Sequence, residues 1–218
     1  MDGLTIFFKQ FVRMFFLSLL ILCFPGCMGG LSKPPQTFLL NNWGQPLPDQ
    51  MVVRYGFEDQ SAPKIGIGPV KIPEYLNRPQ IVSRLKGNEI YFDEFHLWAE
   101  PLKESFARVL AKNLSCLLAT DHVFIFPWFG VVKPEYRLTV DVFRFDGKHG
   151  EEVYLDVLWA VYHGDNNLLL KSNRSALKET CRDNNYQALV DAHNLLILRL
   201  SVEIADAVKS FSFSSSNP

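Results

Sequence analysis

A glycine pair, five histidines and four cysteines are the residues of this chain whose spacing could support chemistry. Gly66 and Gly68 stand in a GxG spacing inside "IGIGPVKIPEYLNRPQIVSR", residues 65–84. A phosphate cradle of the GxGxxG kind needs a third glycine and a helix starting at once, because the free N–H groups of the helix hold the anion. Lys71 occupies the third position, and Pro69 and Pro73 block a helix start there. No GxxxxGK[ST] occurs elsewhere. Ile65, Ile67 and Pro69 alternate, so the stretch reads as a strand whose glycines mark a bulge or a close backbone approach.

The histidines are His96, His122, His149, His163 and His193, and no two lie three to five residues apart as a helical metal motif requires. "FDEFHLW" gathers Asp93, Glu94 and His96, which reads as the end of an amphipathic strand with its charges outward. His193 falls on the flank of an apolar helical stripe, where a hydrogen-bonded histidine at the core edge is expected. There is no GxSxG elbow, and Ser105 and Ser115 lie within a helical pattern. Cys116 and Cys181 have no base near them in sequence, so thiol catalysis is unsupported. In an oxidising compartment they either pair or remain two partly buried thiols. No catalytic residue, metal ligand or cofactor is expected.

The elements that would position these groups are legible from periodicity. "TFLLNN" (37–42) reads as a short strand, and residues 43–63 as a long connection around a brief "MVVRY". Residues 80–84 and 89–95 read as a hairpin turning at Lys86–Asn88. A helix is predicted from about Glu100 to Leu118, with Pro101 in its first turn and Leu102, Phe106, Val109, Leu110, Leu114 and Leu117 on one face. "VFIFPW" (123–128) reads as a buried strand. "YRLTVDVFRF" and "EVYLDVLWAVY" alternate strictly around "DGKHGE", a turn opening on the hairpin-favoured Asp-Gly. A strand over 167–179 completes an antiparallel meander. A second helix runs from about Asn185 to Lys209, with Tyr186, Leu189, Val190, Leu196, Ile197, Leu200, Ile204 and Val208 as its stripe. Leu195, Leu198 and Val202 widen that stripe. The sum is a single α/β domain, a mixed, largely antiparallel sheet covered by two main helices.

Composition narrows the setting. With 48% hydrophobic residues, 21% charged and a formal net charge of −1, the chain is globular, and it carries no basic run for nucleic acid. Lys9 and Arg13 precede an apolar run of eleven residues, Met14–Phe24, broken by Ser18, and then "PGC". A transmembrane helix needs about 20 apolar residues, so the run reads as a secretory signal peptide, with an uncleaved inner-membrane anchor as the alternative. Gly26–Cys27 resembles a lipobox, in which a small residue precedes the cysteine that becomes lipidated, although Phe24 and Pro25 depart from the usual residues. Otherwise Cys27 is a plain thiol. Several acyl chains on Cys27 would anchor the chain where one is marginal. The expected organisation is a signal peptide (1–26), a lipidated N-terminus and flexible tether (27–36), the α/β domain (37–210) and a disordered tail (211–218).

Several blocks in order carry a resemblance. They are Gly68, Pro69, Val70, Pro73, Leu76, Arg78 and Pro79, then Trp98, Ala99, Glu100, Pro101 and Leu102, then Arg137, Leu138, Phe145, Asp146 and Gly147. Over roughly 37–208 the chain resembles the ABC-type transport auxiliary lipoprotein family, the group of paraquat-inducible protein C. The resemblance implies a non-enzymatic envelope lipoprotein that accompanies an MCE-domain membrane protein in an intermembrane phospholipid transport system. Met28 after Cys27, where Asp would signal inner-membrane retention, favours the periplasmic face of the outer membrane. A ring of identical copies would suit a conduit. Arg78, with donors suited to carbonyls or a carboxylate, and Trp98 before the helix are the candidate partner residues, with fold maintenance as their other role. A direct lipid-binding carrier is the alternative; it requires an apolar cavity. An envelope hydrolase would need Asp93 or His96.

Overall fold

Strand alternation and two amphipathic stripes build one sheet with helices on it. The computed structural model describes residues 9–14, 33–41, 63–128 and 133–215. Residues 9–14 are helical and exposed. Cys27, most of the tether, "MVVRY" and the last three residues lie outside the described residues.

The strands are β1 (Gln36–Phe38), β2 (Ile65–Lys71), β3 (Gln80–Arg84), β4 (Ile90–Trp98), β5 (Val123–Ile125), β6 (Tyr136–Gly147), β7 (Glu152–His163) and β8 (Leu169–Thr180). The helices are α1 (Leu102–Leu118) and α2 (Tyr186–Ser215). The meander β6–β7–β8 is antiparallel throughout, as its alternation predicts. Val153, Leu155, Val157, Trp159 and Val161 of β7 are buried on the helix side. The other edge of β6 is shared. β2 pairs in parallel with its first half, Tyr136–Asp141, with β5 beyond. At Gly147 β6 pairs in parallel with Ser83 of β3, and the β3–β4 hairpin and β1 follow outward. The fold is thus α/β with a mixed sheet whose longest ladders are antiparallel.

Each predicted apolar position of α1 is buried, and Leu189, Val190, Leu196, Ile197, Leu200, Ile204 and Val208 of α2 join it in one core. Leu195, Leu198 and Val202 are only half-buried, so α2 is covered on one broad face and not on two. Its last helical residue is Ser215, six residues past Lys209. Between the helices Asn113 Nδ2 donates to Ser201 Oγ at 3.2 Å, and Ser201 Oγ donates to Ile197 O at 2.7 Å. These bonds satisfy a polar pair that would otherwise be costly to bury.

Three local readings are corrected. In β2 the alternation breaks: Ile67 and Val70 are buried and Pro69 is exposed, because the register against β6 shifts between Ile67 and Val70. Gly68 absorbs that shift at φ +126°, a region unfavourable to any side chain. β5 is a half-buried edge strand and not a buried one, since only β2 pairs with it. Pro127, lacking an N–H, ends the pairing just after Phe126 N donates to Ile67 O at 2.8 Å. Finally, Asp146–Gly147 are the last residues of β6 and not its turn, which falls at Lys148–Glu151.

Candidate partner-binding segment and its support

β2 and β3 lie one after the other along β6, so residues 72–79 make an excursion off the sheet before the chain resumes the same edge. Pro73 and Pro79 fix φ at both ends of it. Between them Glu74–Leu76 form a 3-10 turn, with Leu76 N donating to Pro73 O at 3.0 Å and Asn77 N to Glu74 O at 3.1 Å. Leu76 drops into the core at 1% exposure, while Glu74, Asn77 and Pro79 face solvent. The excursion is therefore an exposed, stiffened loop pinned by one leucine.

A carboxylate holds it from below. Asp146 is fully buried, and Tyr75 Oη from the excursion donates to its Oδ2 at 2.9 Å. Arg84, the last residue of β3, forks onto both oxygens, Nε to Oδ1 and Nη2 to Oδ2, each at 2.9 Å. Arg144 of β6 adds Nε to Oδ1 at 2.9 Å, with its guanidinium stacked 3.9 Å over the Tyr154 ring. Burial pushes the Asp146 carboxyl up, but the bonds from Arg84, Arg144 and Tyr75 outweigh it and hold the group below its ordinary value. Burial and the same carboxylate push the Tyr75 hydroxyl up to about 12. The paired fork makes this a charge-assisted clamp joining the excursion, β3 and β6.

Gly147 next to it has no room for a side chain. A Cβ there would lie 2.6 Å from Val153 Cα and 2.7 Å from Glu152 O. Both are backbone of the paired strand and cannot swing away. Gly147→Ala is expected to cost about 2 kcal/mol, in the range of overpacking, measured as a lower urea midpoint at unchanged slope.

Among the described residues Arg78 has no bond to the carbonyl or carboxylate its donors suit. Its guanidinium lies 3.8 Å above the Phe92 ring of β4, and its Nε has no hydrogen-bond partner among the described residues. The fork predicted at Arg78 is made instead by Arg84. Trp98 is buried at 7% exposure; its backbone N donates to Pro79 O at 2.7 Å and its ring meets His193 edge-on at 5.8 Å. Trp98 thus ties the end of the excursion to the core. Glu100, two residues on, pairs with Arg108, which also donates to Leu40 O at 3.0 Å.

His193 is deeper than the core edge expected of it. It is 1% exposed, its Nδ1 lies 2.7 Å from Leu189 O, and Phe145 packs edge-on at 4.5 Å. Burial pulls its pKa down to about 4 from an ordinary 6.5. The unfolded chain therefore takes up this proton more readily than the folded one. The contribution of neutral His193 is whole above pH 6.5 and is lost as pH falls toward 4, about 3 kcal/mol in all. Urea unfolding at pH 7 and pH 4.5 should show a steeper loss for the natural chain than for His193→Leu.

Of the Asp93, Glu94 and His96 group, Glu94 faces outward as expected, but Asp93 and His96 are turned inward. β4 bulges here, with Val82 opposite Phe92 but Gln80 opposite Leu97. The extra residues turn Asp93 toward α2, where it accepts from Tyr186 Oη at 2.8 Å and Phe95 N at 2.8 Å, with His96 Nδ1 2.9 Å away. His96 stacks on the Tyr186 ring at 3.7 Å and His149 meets its edge at 4.6 Å. Burial raises the Asp93 carboxyl, and these donors bring it below the ordinary value. The arrangement fastens the first turn of α2 to β4 and the β6–β7 turn. Cys116 and Cys181 are not bonded to each other, and Cys181 Sγ donates to Asp183 O at 3.0 Å.

The excursion, Trp98 and the Asp146–Gly147 end of β6 come together in this region. A family model described as ABC-type transport auxiliary lipoprotein component matches residues 56–205. The chain belongs to this family. The auxiliary lipoprotein family is one of transport accessories and not of enzymes. A search of curated proteins found no significant match. Among solved structures, an uncharacterized protein superimposes with a TM-score of 0.64 at 18% identity, covering 81% of this chain and 99% of its own. Protein XCC0632 from Xanthomonas campestris gives 0.63 at 13% identity, covering 83% of this chain and 100% of its own. At such identities the likeness is one of fold. Among the described residues no helix is long and apolar enough to cross a membrane.

Proposed function

We propose that this auxiliary lipoprotein is the accessory subunit of an MCE-type intermembrane phospholipid transport system. In this reading Cys27 carries the acyl chains, the domain sits on the periplasmic face of the outer membrane, and it docks the MCE-domain conduit there. The observation that carries the reading is membership of the auxiliary lipoprotein family over residues 56–205, joined to a signal-like run ending in Gly26–Cys27. The exposed excursion around Arg78 is the surface offered to the conduit, and its rigid support at Asp146 suits a docking loop more than a moving part. Several copies around one conduit would repeat that contact with each subunit.

The carrier alternative draws little support from the packing. The space between sheet and helices is filled by Trp159, Phe106, Leu110, Leu114 and Leu155, all fully buried. The depression beside Arg84, Arg144, Lys148, Glu151 and Glu152 holds ≈ 210 Å³ and presents charges where acyl chains need apolar walls. Mild-detergent extraction with mass spectrometry of the co-purifying proteins and lipids separates the two readings.

A further inference from the structure

Two ends of the sheet expose apolar side chains, and the length of the tether decides between them as a membrane contact. At one end lie the β3–β4 turn and the β6–β7 turn, brought level by the pairing of Ser83 with Gly147. Leu85 is 39% exposed there, and Tyr91, opposite Ser83 on β4, is 45% exposed. At the other end Ile125, Phe126, Leu168 and Leu169 are exposed to a similar degree.

β1 runs parallel to β4, with Gln36 opposite His96, and β4 runs antiparallel to β3. The chain therefore enters the domain at Gln36 heading away from the two turns. From Cys27 to Pro35 there are nine residues, a reach of ~30 Å at full extension. The two turns lie about one β3 length away from Gln36, ~17 Å. The opposite end lies about nine β6 residues the other way, ~30 Å, so a tether doubling back to it would be used up on arrival.

We infer that the end carrying Leu85 and Tyr91 lies against the phospholipid surface, with Tyr91 as the interfacial anchor. The inference rests on the anchor at Cys27 proposed above. Amphipathic and aromatic rings favour the boundary between headgroups and acyl chains. Each turn carries one lysine and one glutamate, Lys86 with Glu89 and Lys148 with Glu151. The end is thus electrically balanced, and a zwitterionic surface suffices. The opposite apolar end then points away from the bilayer.

The test uses the full lipidated chain in phosphatidylcholine vesicles doped with a photoactivatable phospholipid, with labelled peptides read by mass spectrometry. An interface is only some 5–10 Å deep, so residues 85–91 should carry about tenfold more label than residues 125–126 and 168–169. The double change Leu85→Glu with Tyr91→Glu, both at exposed positions, should abolish that excess while the protein stays with the vesicles. Equal or greater label at the opposite end, on a chain whose Cys27 bears the lipid mass, overturns this inference alone. Absence of the lipid mass on Cys27 overturns the anchor and this inference together.

Discussion

Asp146→Ala is expected to destabilise the domain by about 4 kcal/mol, the cost of breaking a buried ion pair by removing one partner, and to lower Tm by about 10 °C. The carboxylate is 1% exposed and receives three side chains from three segments. Without it Tyr75 loses its acceptor and two guanidiniums face each other beside β6. Arg84 and Arg144 keep 25% and 31% exposure and recover part of their hydration, which keeps the figure from rising further. Asp146→Asn, which retains the shape and an acceptor, should cost about half as much. The pH dependence has a definite sign. A carboxyl held below its ordinary value stabilises the fold above about pH 4, and that contribution fades as pH falls through the lowered value. Thermal unfolding at pH 7 and pH 3 should therefore differ less in Asp146→Asn than in the natural chain.

The second large effect is on location. With Cys27→Ala, exported behind a signal peptide that the general peptidase removes, the protein should move from the membrane pellet to the soluble periplasmic fraction. One acyl chain gives only marginal attachment and several give a stable one, so loss of all of them should be close to complete. The folded domain should be unaffected, because Cys27 precedes the first strand by nine positions. Retention in the membrane after this change would mean that the protein is held by something other than the lipid.

Elements whose period repeats over many residues were readable without a structure. The α1 stripe, the β7 stripe and the β6 alternation as far as Val142 survive because each is decided by burial of one face. The site was legible only in its blocks. Asp146 stands before a glycine, and local turn preference assigns the pair to a hairpin tip. What keeps it in the strand is Arg84, 62 residues earlier, delivered by a β3–β6 pairing that no local pattern encodes. The same holds for Asp93, whose inward turn depends on a bulge in β4 and on Tyr186, 93 residues away. Arg78 and Arg84 are alike in composition terms. Only the parallel register decides which of them reaches the carboxylate and which is left over Phe92 at the surface.

Extraction of the tagged, full chain in mild detergent, with mass spectrometry of everything that accompanies it, tests the central claim most directly. The account predicts an MCE-domain membrane protein in the eluate, retained with the natural chain and depleted with Arg78→Glu, a change at the half-exposed loop that leaves the Asp146 clamp in place. Stoichiometric phospholipid without any envelope transporter, from a chain that is folded and lipidated, would contradict it.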